Sequence, residues 1–263
     1  MAPHDFLSQV SQHLPCVCND FGNNVPYSTY PEAFSQTPRP EVSPIAAAVS
    51  RSTDSALIGG ADNYHRLQDP TVCNDFGNNV PYSAYLEAFS QIHAPVVFPI
   101  AAPNLEPRDD IWPTEAAPVF RRQERGVELV QLRWGLPPAR PKGAPIINIR
   151  SEGRRFTKGR CLIPASHFFE FTGAKPPKSN WKFTKAGDDW FCFAGLWRPM
   201  PDGAGAAFTL LTTEPGPDVA PIHDRQMVIL DRSDWLAWLD LTRPEPELLR
   251  PLPAGSLAVE QVR

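Results

Sequence analysis

The sequence contains no run of 18 or more apolar residues, so nothing in it reads as a membrane-spanning helix. Its opening, MAPHDFLSQVSQHLP, lacks a basic stretch followed by an apolar core, and this argues against a secretory signal. Cysteine is scarce and odd in number, with five residues and no disulfide rhythm. That usage suits a reducing, cytoplasmic setting. Cys16-Val-Cys18 has no partner pair, and Cys161 and His167 stand too isolated for a zinc site, which takes about four ligands. Phosphate-loop and dinucleotide glycine motifs are also missing. Together these absences imply neither a metal nor an organic cofactor. What is present is ordinary for a soluble globular chain of 263 residues: 42% hydrophobic and 21% charged, enough for one or two domains. The 31 prolines imply many loops and short elements.

One phrase occurs twice. Cys18 to Gln36 matches Cys73 to Gln91 everywhere except Thr29/Ala84 and Pro31/Leu86. A fainter echo, Pro44-Ile-Ala-Ala47 against Pro99-Ile-Ala-Ala102, follows. A solenoid needs at least three units to bury a core, and only two copies are here. Residues 48–71 are rich in Ser, Asp and Gly without a sustained period and read as linker. The second copy runs into a densely patterned region. The expected division is therefore an N-terminal extension, 1–72, carrying a partial duplicate, and one domain, 73–263. A strand duplicate inside a larger fold is the alternative, but 18–47 is too short for a core of its own.

Within 73–263 the pattern is short strands and loops. Val127–Trp134, Arg160–Pro164, His167–Phe171, Trp181–Thr184, Trp190–Trp197, Phe208–Thr213 and Gln226–Leu230 read as strands. Ser83 and Ser233 are expected as N-caps of short helices. Many strands and few helices give an α+β fold on a mostly antiparallel, barrel-like sheet.

Charge is uneven along the chain. The formal net charge is −4, which argues against a nucleic-acid binder. Yet residues 121–160 hold 11 of the 25 Lys and Arg. A local basic face can bind phosphate on an acidic protein, because charges screen over about 8 Å at physiological salt. A solvated face with scattered arginines fits the same count, and charge leaves both readings open.

The domain's motifs run in a fixed order: Arg133-Trp-Gly-Leu-Pro137, Asn148-Ile-Arg-Ser-Glu152, Arg160-Cys-Leu-Ile-Pro-Ala165, Phe168-Phe-Glu-Phe171, Phe193-Ala-Gly-Leu-Trp197, Phe208-Thr-Leu-Leu-Thr-Thr213 and Ile222-His-Asp-Arg-Gln-Met-Val-Ile-Leu230. In this order and spacing the chain resembles the SRAP family, the SOS-response-associated peptidases, understood as abasic-site shielding proteins. The resemblance covers 73–243. Each motif alone is weak, and the seven in order are specific. The departure is Ile149, where the family usually has Ala.

The resemblance implies a mixed α/β domain, a basic groove for single-stranded DNA, and covalent capture of the ring-opened aldehyde of an abasic site. It places Cys73 at the start of the mature chain. An N-terminal cysteine offers an α-amine, with an ordinary pKa near ~8, and a thiol that can close a thiazolidine ring on an imine. An internal cysteine lacks the free amine, and Cys73 has 72 residues ahead of it. Three accounts are open: initiation at Val72 from a GTG codon, cleavage of the extension, or loss of the chemistry. The first is favoured.

By the same resemblance Asn148 orients the reacting amine or a sugar hydroxyl, and Arg150 holds a DNA phosphate with its bidentate fork. Glu170 is the acid/base. A carboxylate in so aromatic a run is not merely solvated, and burial raises a carboxyl pKa as a proton shuttle requires. His223 takes part in imine formation and ring reversal, with Asp224 and Arg225 holding its loop or imidazole. Arg133, Trp134, Arg154, Arg155 and Arg160 complete the expected DNA contacts, Trp134 by stacking on a base or ribose or else by joining the core. Read without the family, Cys73 is an ordinary thiol, Asn148 a turn residue, Arg150 a surface cation and Glu170 half of an ion pair. Cys161 and Cys192 are expected to be buried and inert. The expected partner is single-stranded DNA bearing abasic sites, bound by a monomer, with no membrane. Two other functions fit the residue types: a cysteine peptidase built on Cys73, His223 and Glu170, and a non-catalytic single-strand DNA module.

Overall fold

Most strands of this protein are buried on both faces, and their sequences show it. Phe191-Cys-Phe-Ala-Gly-Leu196 is buried at every position, a continuous apolar run rather than an alternating one. The computed structural model describes residues 74–99, 101–138, 140, 142–173, 178–201 and 203–262. The expectations for the 1–72 extension and for Cys73 lie outside the described residues.

In chain order the elements are β1 (Phe76–Asn78), α1 (Tyr82–Gln91), β2 (Val96–Val97), β3 (Arg108–Ile111), β4 (Ala116–Gln123), β5 (Gly126–Trp134), β6 (Asn148–Arg150), β7 (Arg160–Ala165) and β8 (His167–Thr172). They continue with β9 (Ser179–Lys185), β10 (Phe191–Pro199), β11 (Ala206–Thr213), β12 (Gln226–Met227), β13 (Ile229–Leu230), α2 (Trp235–Leu239), α3 (Glu245–Leu248) and β14 (Leu257–Gln261). The fold is α+β and mostly antiparallel, as the sequence implied.

Five strands form one sheet in the order β14-β9-β8-β1-β3. The second sheet runs β11-β10-β7-β4-β5, and β11 returns to β5 through the parallel pairs Ala207↔Arg133 and Phe208↔Trp134. That return makes a barrel-like ring. β6 adds to β11 in parallel, with Leu210 opposite Asn148 and Thr212 opposite Arg150.

Period-two alternation sorts the ring's side chains into two cores. Val119, Ile163, Phe193 and Phe208 pack with Phe76, Phe168 and Phe183 of the five-stranded sheet. Their neighbours Phe120, Leu162, Ala194 and Ala207 pack with Tyr85 and Phe89 of α1 and with Trp235 and Trp238.

Three local expectations change. α1 is capped by Pro81 without a side-chain hydrogen bond, and Ser83 lies inside its first turn. Proline suits that boundary because its fixed φ points the chain into the helix and it has no N–H to satisfy. Ser233 lies in a 3-10 turn, Arg232–Asp234, that leads into α2. The apolar run Gln226–Leu230 is two short strands. β12 pairs with β11, β13 pairs with β10, and between them Val228 bonds to both neighbours, donating to Leu211 O at 2.8 Å and accepting from Ala194 N at 2.9 Å.

Candidate active site and nucleic-acid interface

β1 enters the five-stranded sheet between β8 and β3. Phe76 pairs with Phe168 and Gly77 with His167, and Phe169 N–H donates to Asp75 O at 3.0 Å. Continuing that register sets Asn74 opposite Glu170. Glu170 is buried, at 1% exposure, beside the residue that follows Cys73. It shares a face with Phe76 and Phe168, the face that packs on the ring. Gly77 allows the close approach: a Cβ there would lie 2.1 Å from the His167 ring and 2.5 Å from Asp109 O.

A second strand brings Asn148, also buried at 1% exposure, to the edge of β11. Trp134 links the two places. Its indole N–H donates to Ile147 O at 3.0 Å. Its ring lies edge-on to Phe76 at 5.1 Å and stacks on Phe208 at 6.3 Å. The expectation that Trp134 stacks on a base is therefore corrected. It is fully buried and supports β1, β6 and β11 from beneath.

Beyond Asn148 the chain turns outward. Arg150 and Arg155 are exposed, and Arg154 is half-buried. Ser151 N–H donates to Thr212 O at 2.9 Å, which holds the turn against β11. Glu152 is the one acidic residue of this turn, and Arg225 takes both of its carboxylate oxygens, Oε2 at 3.0 Å and Oε1 more closely. Burial alone would push the Glu152 carboxyl up, but the Arg225 hydrogen bonds and charge outweigh it and hold the group below its ordinary range. With Glu152 so paired, Arg150, Arg154, Arg155 and Lys158 make this turn a positive patch.

His223 sits on the loop that Arg225 anchors. Arg225 N–H donates to His223 Nδ1 at 3.0 Å, and His223 N–H donates to Val219 O at 2.9 Å. Arg225 O also lies 3.1 Å from Nδ1, so both backbone groups of Arg225 hold this edge of the imidazole. Asp224 Oδ1 lies 3.2 Å from Nδ1 on an exposed side chain, ready to pair with the ring once it is protonated. Arg225 also donates from Nη2 to Thr212 Oγ1 at 3.1 Å, so loop, turn and β11 form one network.

Arg160 is the second correction. It does not face solvent. Its side chain is 4% exposed and pairs with Glu245 at 2.8 Å. It donates to Phe156 O at 2.8 Å and Trp238 O at 3.1 Å, and lies 4.3 Å above the Trp238 ring. A guanidinium with those partners inside the protein is a strut and is not presented to a phosphate. Arg133 is half-buried, with Nη1 donating to Gly135 O at 2.9 Å. Cys161 and Cys192 are buried, and burial pushes both thiols well above their ordinary range.

One buried acid is absent from the expected set. Asp75, 2% exposed, precedes Phe76 and packs against β3. Burial first, then the neighbouring carboxylates of Asp110 and Glu115, push it up to about 7. The clue in the sequence was a charged residue directly before the apolar Phe76. Among the described residues no group of three or more His, Cys, Asp or Glu could hold a metal ion, and no helix is long and apolar enough to cross a membrane.

The model of the SOS response associated peptidase (SRAP) family matches residues 73–263. The chain belongs to this family. The SRAP match begins on Cys73, the first residue of the second copy. Among SRAP relatives, the abasic site processing protein YoaM of Bacillus subtilis is 28% identical over 187 residues, 65% of this chain and 82% of that protein. The abasic site processing protein YoqW of the same organism is 31% identical over 154 residues, 51% of this chain and 69% of that protein. A protein from Bordetella bronchiseptica of known structure matches with a TM-score of 0.55 at 25% identity, covering 73% of this chain and all of that one. One from Bacteroides thetaiotaomicron matches with a TM-score of 0.57 at 16% identity, covering 73% of this chain and 92% of that one, a likeness of fold.

Proposed function

We propose that this SRAP chain captures abasic sites in single-stranded DNA as a covalent thiazolidine on Cys73, with 73–263 as the working domain. The observation that carries the reading is the register of β1 on β8, which sets Asn74 beside the buried Glu170. The α-amine of Cys73 adds to the aldehyde carbon of the ring-opened sugar, and the carbinolamine loses water to an imine. The thiol then adds across the C=N bond. A C–S bond forms, the thiol proton ends on nitrogen, and the net by-product is one water. Glu170 moves the protons of the dehydration, which needs an acid within reach of the departing hydroxyl. Asn148 orients the amine or a sugar hydroxyl. His223, with Nδ1 held by the Arg225 backbone, offers Nε2 for proton transfer in ring closure and reversal. Arg150, Arg154 and Arg155 hold the phosphates.

This chemistry needs a free α-amine on Cys73. Initiation at Val72 followed by hydrolytic removal of the initiator Met supplies it, and so does cleavage of the Val72–Cys73 bond, which would be the peptidase activity that the family's description names. The protein works as a monomer in the cytoplasm.

The test is intact mass, with N-terminal sequencing, of protein expressed from its own gene and incubated with a single-stranded abasic oligonucleotide. A chain beginning at Cys73 that forms a heat-stable adduct, lost in Cys73→Ala and slowed roughly 100-fold or more in Glu170→Gln, is expected. A chain that keeps Met1 and forms no adduct would leave a non-covalent DNA binder.

A further inference from the structure

β1 meets β8 on one side and β3 on the other, and the two seams differ. Against β8 the pairing is regular: Phe76 lies opposite Phe168 and Gly77 opposite His167, and Phe169 N–H donates to Asp75 O at 3.0 Å. Against β3 the register slips between Phe76↔Ile111 and Asn78↔Arg108. A slipped ladder leaves backbone groups out of step, and here a side chain crosses the seam. Phe76 and Ile111 face the core together, so Asp75 and Asp110 lie on the opposite face. There the Asp75 carboxyl meets two groups of β3, the Ile111 N–H and the Asp110 carboxylate.

Two carboxyl groups bond each other only if one of them holds a proton, because carboxylates accept and do not donate. The buried member holds it: Asp75 is 2% exposed, whereas Asp110 lies at the surface. The cation of β3 is committed elsewhere. Arg108 Nη2 donates to Asp110 O at 3.2 Å and to Glu115 Oε2 at 2.6 Å, and its Nη1 donates to Ala116 O at 3.3 Å. The Trp112 N–H first, and Arg108 with it, hold the Glu115 carboxyl below its ordinary range. Asp109 accepts from Asn79 Nδ2 at 2.7 Å. On the β8 side, His167 is bonded at both ring nitrogens, to Ser166 Oγ at 3.0 Å and to Asp109 O at 2.9 Å. Glu170 lies on the other face of β8, with Phe168, and Lys182 is one strand further, opposite Phe169. Burial first, then the carboxylates of Asp110 and Glu115, push Asp75 up to about 7, so its proton is present in mildly acidic solution and leaves above neutrality.

We propose that Asp75 is a positioning residue: sharing its proton with Asp110, it latches β1 to β3 and so holds Asn74 beside Glu170 for the reaction. This inference rests on the function proposed above. The reaction then makes two opposed demands on pH. The α-amine must lose its proton to attack, while Asp75 must keep one to hold the strand. Above neutrality the amine gains reactivity and the latch opens, so the rate passes through a maximum.

The test follows two quantities from about pH 6 to about pH 9 in protein expressed from its own gene. One is the single-turnover rate of adduct formation on the abasic oligonucleotide. The other, which uses no DNA, is hydrogen-exchange protection of peptides covering 74–78 and 108–111, corrected for the intrinsic rate. Asp75→Asn keeps both bonds at every pH, since its carbonyl accepts from Ile111 N–H and its amide donates to Asp110. Asp75→Ala keeps neither. Wild type and Asp75→Asn should agree at about pH 6 and diverge above neutrality. The variant should be roughly tenfold faster about one pH unit above the Asp75 midpoint, with strand protection falling in the wild type alone. Asp75→Ala should be slow and poorly protected already at about pH 6. Should Asp75→Asn not fold, Asp110→Asn, which donates to the Asp75 carboxylate, takes its place. Superimposable profiles of wild type and Asp75→Asn, in rate or in protection, overturn the proposal. A wild type that forms no adduct at any pH sinks the DNA chemistry instead. In that case a loss of protection above neutrality that Asp75→Asn abolishes still establishes the latch, and its absence overturns the latch as well.

Discussion

Arg150 and Arg160 belong to one basic run and end in opposite environments. Arg150 closes β6 with an exposed side chain on a turn whose one acidic residue is already paired. Arg160 opens β7 and turns inward, where Glu245, 85 residues downstream, meets it. The two differ in what the chain later brings against them. A count of arginines is therefore no map of a binding face. A cation becomes a strut when a distant carboxylate is folded onto it, and it stays on the surface when the acid beside it is paired elsewhere.

The comparison can be broken most forcefully at Arg160. Arg160→Ala strands a buried Glu245 and is expected to cost about 3–5 kcal/mol in chemical denaturation. Arg150→Ala should change stability by no more than about 0.5 kcal/mol. Burial alone would raise the Glu245 carboxyl, but the Phe156 N–H and Arg160 outweigh it and hold it low. That contribution is full above the unfolded carboxyl pKa of about 4.3 and is lost as pH falls below it, so Arg160→Ala should flatten the acid limb of stability.

Arg225 is the intermediate case, buried itself but bonded to a half-exposed acid. Arg225→Ala should cost about 1–3 kcal/mol. It should also weaken binding of single-stranded DNA, because Glu152 would then oppose the positive turn. If DNA binding is untouched, the pairing of Glu152 is irrelevant to the patch.

At Arg150 the effect belongs to binding alone. Arg150→Ala should lower the slope of log affinity against log salt by about 0.7, the share of one phosphate contact on a single strand. An Arg160→Met, Glu245→Gln double variant, which keeps an acceptor for Phe156, should leave that slope unchanged. Equal losses in both would erase the distinction between strut and ligand.

At Asp75 the effect on stability is read only as a dependence on pH. A carboxyl raised to about 7 when folded and near 3.9 when unfolded keeps its proton in the folded state while the unfolded chain loses it. Stability should decline as pH rises from about 4 to about 7 and level off above. Asp75→Asn should remove that decline in urea titrations at a series of pH values, and an unchanged slope would assign it elsewhere.

The sequence by itself determined the order of motifs, the strand-rich α+β class and the family. These rest on local signals. Continuous apolar runs mark strands buried on both faces, and a fixed series of short motifs survives whatever the chain packs against. Phe168-Phe-Glu-Phe171 showed its alternation directly, because period two needs only one strand. Tertiary structure decided what depended on a second element. Trp134 went to the core because β1 and β11 bring Phe76 and Phe208 to its ring. Gln226–Leu230 broke in two because its halves reach different partner strands. Arg160 went inside because Glu245 was waiting, and the Asp75 carboxyl is pushed up because it is buried and β3 sets Asp110 near it. Charge and burial are properties of neighbourhoods, and the neighbours of these residues lie tens of positions away along the chain.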